Sequence, residues 1–459
     1  MSTLPTMKLL VLTALALLAA GPAGAGTPDT APDFSRPEPG EHLPGGEATS
    51  RKAVNRDAFS HPSANLRFEQ ELDFRVGNGF FKRVWVSAPS STQAADGLGP
   101  LFNAKACQRC HLKDGRGHPP EGDADNAVSM FLRLSIPPQD AADWRALARR
   151  DLAVIPEPTY GTQLQDFAIQ GHVPEGRMRI RYTERPVELA DGTVIRLRAP
   201  EYEVTDLGYG PLHPQAMLSP RVAPPMIGLG LLEAVPAEAL LAAADPEDRD
   251  GDGISGRPSW VRSAASGTIE LGRFGWKASV ASVDEQNQGA FAGDIGISVP
   301  LHPAGSGECT ERQAPCREAP DGNSPQYENL EAHREVTELV LFYARHLAVP
   351  ARRDAGDPEV LAGKRVFYEA GCTACHTPSH RTARDAEDPA LADQLIWPYT
   401  DLLLHDMGPD LADHRPVGDA GGREWRTPPL WGIGLTETVS GHTYFLHDGR
   451  ARSRLEAIL

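Results

Sequence analysis

Cys107-Gln108-Arg109-Cys110-His111 and Cys372-Thr373-Ala374-Cys375-His376 are two copies of one pattern, Cys-x-x-Cys-His. Two thiols three positions apart can reach both vinyl groups of one porphyrin, and the next residue can turn its imidazole toward the iron. With 6 Cys and 15 His in 459 residues, chance supplies roughly 0.003 such pentapeptides. Two copies therefore mark two c-type haem sites, with Cys107, Cys110, Cys372 and Cys375 as attachment points and His111 and His376 as axial ligands of iron. A disulfide would not need the histidine, and a zinc site would need its ligands gathered in one place.

The rest of the chain reads outward from these anchors. Residues 1–25 have the form of a secretory signal: Lys8, an apolar run from Leu9 to Ala20, then Ala23-Gly24-Ala25. No other stretch is apolar enough to span a bilayer. Covalent haem and a signal peptide agree on a periplasmic protein. The net charge of −17 excludes a nucleic-acid-binding surface, which would need clustered Lys and Arg. Cys309 and Cys316, in a polar loop, are expected to form a disulfide in that oxidising compartment.

Residues 26–65 are rich in Pro, Gly and charged residues and read as a flexible linker or an extended arm. An N-terminal haem domain follows over 66–350, and a C-terminal cytochrome c-like haem domain over 351–459, the latter shortened because it stops in what reads as mid-helix. A short helix is expected to carry residues 99–103 into the first motif. Phe102 lies five residues before Cys107, as Phe367 does before Cys372. The echo suggests one aromatic packed beneath each porphyrin.

Between about 156 and 204, alternating apolar and polar residues around Asp191-Gly192 predict a β-hairpin or small sheet inserted in an otherwise helical chain. The fold expected is thus mainly α, two cytochrome c-like haem domains with a small β insertion. Asp248, Asp250 and Asp252, in the acidic loop 248–256, copy positions 1, 3 and 5 of a calcium loop with glycine at 6. Position 12 is Ser259, so calcium and a solvated acidic turn both remain open. The spacing from Glu335 to Leu347 predicts a helix ending before Pro350.

A di-haem protein needs sixth iron ligands or a deliberate vacancy. Met407, in Leu404-His405-Asp406-Met407-Gly408, is placed to be a thioether ligand of the second iron, with His405 as its rival. For the first iron, His118, Met130, His172, Met178 and Met217 are candidates and none stands out. An open sixth position suits peroxide chemistry.

The order of motifs resembles the bacterial di-haem cytochrome c peroxidases: haem motif, Trp276, Gln286 ten residues later, Asp294, second haem motif, methionine, then His447-Asp448-Gly449-Arg450. More narrowly, several strings resemble a di-haem oxidoreductase family of peroxidase type. They are Tyr160-Gly-Thr-Gln163-Leu164, Ile227-Gly-Leu-Gly-Leu-Leu-Glu233, Leu271-Gly-Arg-Phe-Gly-Trp-Lys277 and Asp294-Ile-Gly-Ile-Ser298. The resemblance implies that Trp276 relays electrons between haems and that Gln286 and Asp294 line the peroxide pocket of the first. It also implies a small electron-donor protein, a cytochrome c or a cupredoxin, and hydrogen peroxide as substrate. Peroxide-dependent oxidation of an organic or protein substrate, and plain electron transfer, are the alternatives.

Overall fold

The computed structural model describes residues 32–122 and 128–459; the signal sequence lies outside them. The expectation of a mainly α chain is overturned: helix makes up 25% and strand 18%, spread over several small sheets. The physical reason is the punctuation. Forty-one prolines and 44 glycines interrupt helical runs, so the longest helix among the described residues is Phe68–Lys82.

That helix starts where Gln70 Oε1 accepts the Arg67 backbone N–H at 3.1 Å. It buries Phe74, Gly77 and Phe81, one face at helical spacing. The face lies on the helix Arg334–Arg345, where Phe74 and Phe81 meet the Tyr343 ring at 4.7 and 5.1 Å. Gly77 permits the crossing, because a Cβ there would come 2.1 Å from the Leu339 carbonyl oxygen. Arg334–Arg345 is the helix expected before Pro350.

Six two-stranded antiparallel sheets are described. The largest is a hairpin, Arg177–Glu188 with Val194–Thr205, in the register Met178↔Val204 and Val187↔Ile195. It falls where the alternation placed it. Met130–Ser135 pairs with Met217–Val222, and Leu404–Asp406 with Glu424–Arg426. Leu101–Phe102 is a strand paired with Phe167–Ala168, not the helix expected before the first motif. Side chains facing opposite sides there, Phe102 stacking on Phe167 at 5.7 Å, favour the strand.

The stretch read as a flexible linker is an extended arm over its described part. Ser50 bridges to Pro350, Pro62 to Leu347, and Ala48, Ala58 and Phe59 are buried. One apolar core runs from Phe59 and Phe74 through Phe291 and Tyr343 to Ile396, Trp431 and Val439, and so joins residues of both expected domains. Each fully buried large apolar side chain contributes about 1.5–3 kcal/mol. Cys309 and Cys316 form the expected disulfide.

Candidate functional site

The two Cys-x-x-Cys-His motifs adopt the same local form. Cys107–Cys110 is one helical turn, and the His111 N–H returns to the Cys107 carbonyl at 3.0 Å. In the second motif, left-handed Gly371 ends the helix Pro358–Glu369, and the His376 N–H returns to the Cys372 carbonyl at 2.9 Å. None of the four motif cysteines is in a disulfide. Burial pushes the Cys107 thiol up to about 12 and Cys110 well above its ordinary value, so the first pair is neutral.

The histidines share a second feature. His111 Nδ1 lies 2.9 Å from the Pro224 carbonyl oxygen, and His376 Nδ1 lies 2.8 Å from that of Tyr399. A carbonyl only accepts, so Nδ1 carries the proton and Nε2 keeps a lone pair. That orientation is the one an iron ligand needs. Burial lowers both imidazoles, His111 to about 4, and keeps them neutral. Paired cysteines and a histidine turned to offer Nε2 fit a haem at each motif.

An aromatic ring does back each histidine. Phe367 is 6.2 Å from His376, ring to ring, and Phe81 is 6.3 Å from His111. Phe102, the expected counterpart, stacks on Phe167 instead. The first motif takes its ring from 26 residues upstream (107 − 81), at the end of the helix Phe68–Lys82, so equal spacing in sequence misled.

Asp294 comes to the first motif through a π-helical turn, Phe291–Ile295, of the kind often found at functional sites. Its carbonyl accepts the N–H groups of Asn103 and Ala104 at 2.8 and 3.0 Å. Its carboxyl accepts Gln163 Nε2 at 2.8 Å, and burial raises it above the usual carboxylate range. Its charge bears on both Cys107 and Cys110. Gln286, on the helix Val283–Ala290, has its Oε1 3.8 Å from the position of a Cβ on Gly275, beside the Trp276 loop. Thus Gln163, to which no role was assigned, is the glutamine that meets Asp294. Its only signal in the sequence was its place in the string Tyr160–Leu164.

Trp276 stands between the two motif regions. Its indole N–H donates to the Val222 carbonyl at 2.9 Å, two residues before the Pro224 that holds His111. On the other side its own carbonyl accepts the Arg426 N–H at 2.9 Å. Arg426 pairs with Leu404, next to His405, and His405 Nδ1 is 3.5 Å from Cys375 Sγ. His447 sits against both indoles, stacked on Trp425 at 3.7 Å and edge-on to Trp276 at 6.5 Å.

Of the rival ligands at the second motif, His405 is buried and Met407 is 46% exposed. His405 Nε2 meets Asp401 Oδ2 at 2.8 Å. Burial alone would lower this imidazole, but the Asp401 carboxylate and Cys375 outweigh it and raise the value to about 10. The acidic loop brings carboxylate oxygens of Asp248, Asp250 and Asp252 within 4.8 Å of one another. Ser259 Oγ is buried without a partner.

A family model described as "di-haem oxidoreductase, putative peroxidase" matches residues 41–459. The chain belongs to this di-haem oxidoreductase family. The family's name implies the two haems for which the paired motifs are shaped. No curated protein and no solved structure matches the chain. No helix among the described residues is long and apolar enough to cross a membrane.

Proposed function

We propose that the chain is a periplasmic peroxidase that carries two covalent haem groups and reduces hydrogen peroxide with electrons from a small redox protein. The observation that carries this reading is the unlike surroundings of two like motifs. Cys107 and Cys110 lie in the field of Asp294, whose carboxyl meets the Gln163 amide, whereas Cys375 meets His405, which pairs with Asp401.

Cys107 and Cys110 would hold one porphyrin and Cys372 and Cys375 the other, with His111 and His376 as axial ligands. The haem groups supply one-electron chemistry and a site for peroxide oxygen. The protein's part is positioning and proton transfer. The Pro224 and Tyr399 carbonyls fix the two imidazoles. Asp294, its pKa raised by burial and its carboxyl held by Gln163, is the proton donor proposed for a peroxide oxygen at the first motif. Trp276, hydrogen-bonded toward both motif regions, is the electron relay, with Gln286 beside its loop.

Met407 would be the sixth ligand of the second iron. His405 already has partners on both ring nitrogens. The acidic loop is proposed to take calcium through Asp248, Asp250 and Asp252, as its clustered oxygens permit. Mixing purified holoprotein with peroxide and a reduced cytochrome c or cupredoxin tests the function. Two donor molecules oxidised per peroxide are expected. Full haem content with no donor oxidation contradicts the proposal.

A further inference from the structure

Reducing one peroxide consumes two protons along with two electrons, yet the resemblance assigns only one acid to the first motif. The structure holds a second. Asn103 stands between two carboxyls: its Nδ2 donates to the Leu164 carbonyl at 2.8 Å and reaches Asp166 Oδ1 at 3.4 Å, and its Oδ1 accepts Gln163 Nε2 at 2.5 Å. The same Nε2 donates to Asp294 Oδ1 at 2.8 Å. Asp166 and Asp294 therefore sit at opposite ends of one amide pair. The Asp294 carbonyl in turn accepts the N–H groups of Asn103 and Ala104 at 2.8 and 3.0 Å, the latter three residues before Cys107, which places the set beside the motif.

Two acceptors beside this set lack partners. Gln163 Oε1 and Gln165 Oε1 are buried acceptors without partners, on residues 0% and 3% exposed. Buried carbonyl oxygens in that state call for O–H groups, which two carboxylic acids or a peroxide would provide. Gln165 is itself fixed, donating through Nε2 to the Gly293 carbonyl at 2.8 Å.

We infer that Asp166 is a second proton donor of the first site, acting with Asp294 on one peroxide. The inference rests on the peroxidase reading. The O–O bond breaks, two electrons arrive from the one-electron donor protein, and each carboxyl gives one proton. Two waters leave, and both carboxylates regain their protons from solvent. Three groups face Asp166. Arg177, at the start of the hairpin, favours its charged form, while the Glu175 carboxyl and the Cys110 sulfur do not. Burial dominates and raises Asp166 to about 7.

Asp166→Asn in the holoprotein is the test, because asparagine keeps an oxygen for Asn103 Nδ2 but holds no acidic proton. Peroxide turnover is expected to fall about 10- to 100-fold. Its alkaline limb should move, with haem content and optical spectrum unchanged, and Asp166→Glu should restore part of the rate. The infrared carboxylic C=O band that titrates near neutral pH should vanish in Asp166→Asn. A variant with the wild-type rate and pH profile overturns the inference. So does an infrared difference spectrum, wild type minus Asp166→Asn, with no carboxylic C=O band at pH about 6. Wild-type holoprotein that reduces no peroxide removes the peroxidase reading itself.

Discussion

Around the first motif burial raises the carboxyl pKa values; around the second, cations offset burial. Burial raises Asp294, lifts Asp166 to about 7 and Glu175 to about 8. Their hydrogen-bond partners there are amides and main chain, such as Gln313 Nε2 on Glu175 at 2.6 Å. Near the second motif buried carboxyls meet cations. Glu41 is held below its ordinary value despite burial by Lys364 and Arg352, and Asp401 pairs with His405. In the layer with Trp425, Asp413 is likewise held down by Arg221 and Lys277. Two identical pentapeptide patterns thus stand in opposite electrostatic settings. One can trade protons; the other is fixed in charge, which suits electron storage.

The strongest way to break this contrast is to delete one anchor pair. Cys107→Ala with Cys110→Ala should halve covalent haem, read by pyridine haemochrome, and abolish peroxide turnover while the second haem still reduces. The equivalent change at Cys372 and Cys375 should leave a peroxide-responsive centre that cannot be fed by the donor. If the two double variants behave alike, the division of labour is wrong.

Asp413→Ala should be the costliest change for folding. It strips the partner from Lys277, whose side chain is 1% exposed, and from Arg221 at 8%. Breaking such a buried pair costs about 3–5 kcal/mol, readable as a lower urea midpoint. Replacing the whole set, Arg221→Met, Lys277→Met and Asp413→Leu together, should recover much of that loss. At the first motif, Asp294→Asn should leave stability nearly unchanged but lower kcat by roughly 100-fold.

The contrast also has a pH signature. An acid whose folded pKa is raised binds its proton more tightly in the native state, so its contribution is full below the unfolded value and is lost as pH rises through the folded one. For Glu175 that window runs from its ordinary 4.5 to about 8. The urea midpoint should therefore be higher at pH about 6 than at pH about 8, and Glu175→Gln should flatten the difference. Asp413 and Glu41, with lowered values, work the other way and lose their contribution only in acid. The smallest effect expected is calcium: a rise of a few degrees in Tm on adding calcium, abolished in Asp250→Asn.

What was legible in the sequence was what is local. The paired motifs, the hairpin around Asp191-Gly192, the disulfide and the helix before Pro350 depend on neighbours within a dozen residues. The mainly α expectation failed because helical strings between Gly and Pro were read as longer elements than they are. Phe81 was missed because its partnership with His111 runs through the Gly77 crossing, which no spacing reveals. The contact of Gln163 with Asp294 is not legible in the sequence because only the fold carries residue 163 to the π turn. Trp276 enters through resemblance, and the structure adds its hydrogen bonds to Val222 and Arg426.

Potentiometric titration followed by electron paramagnetic resonance tests the central claim most directly. The account requires two haems of clearly separated potential. The higher one should be low-spin and unresponsive to peroxide, and the lower one should show a high-spin ferric signal that peroxide alters. Two low-spin haems of matching potential, both inert to peroxide, would contradict it.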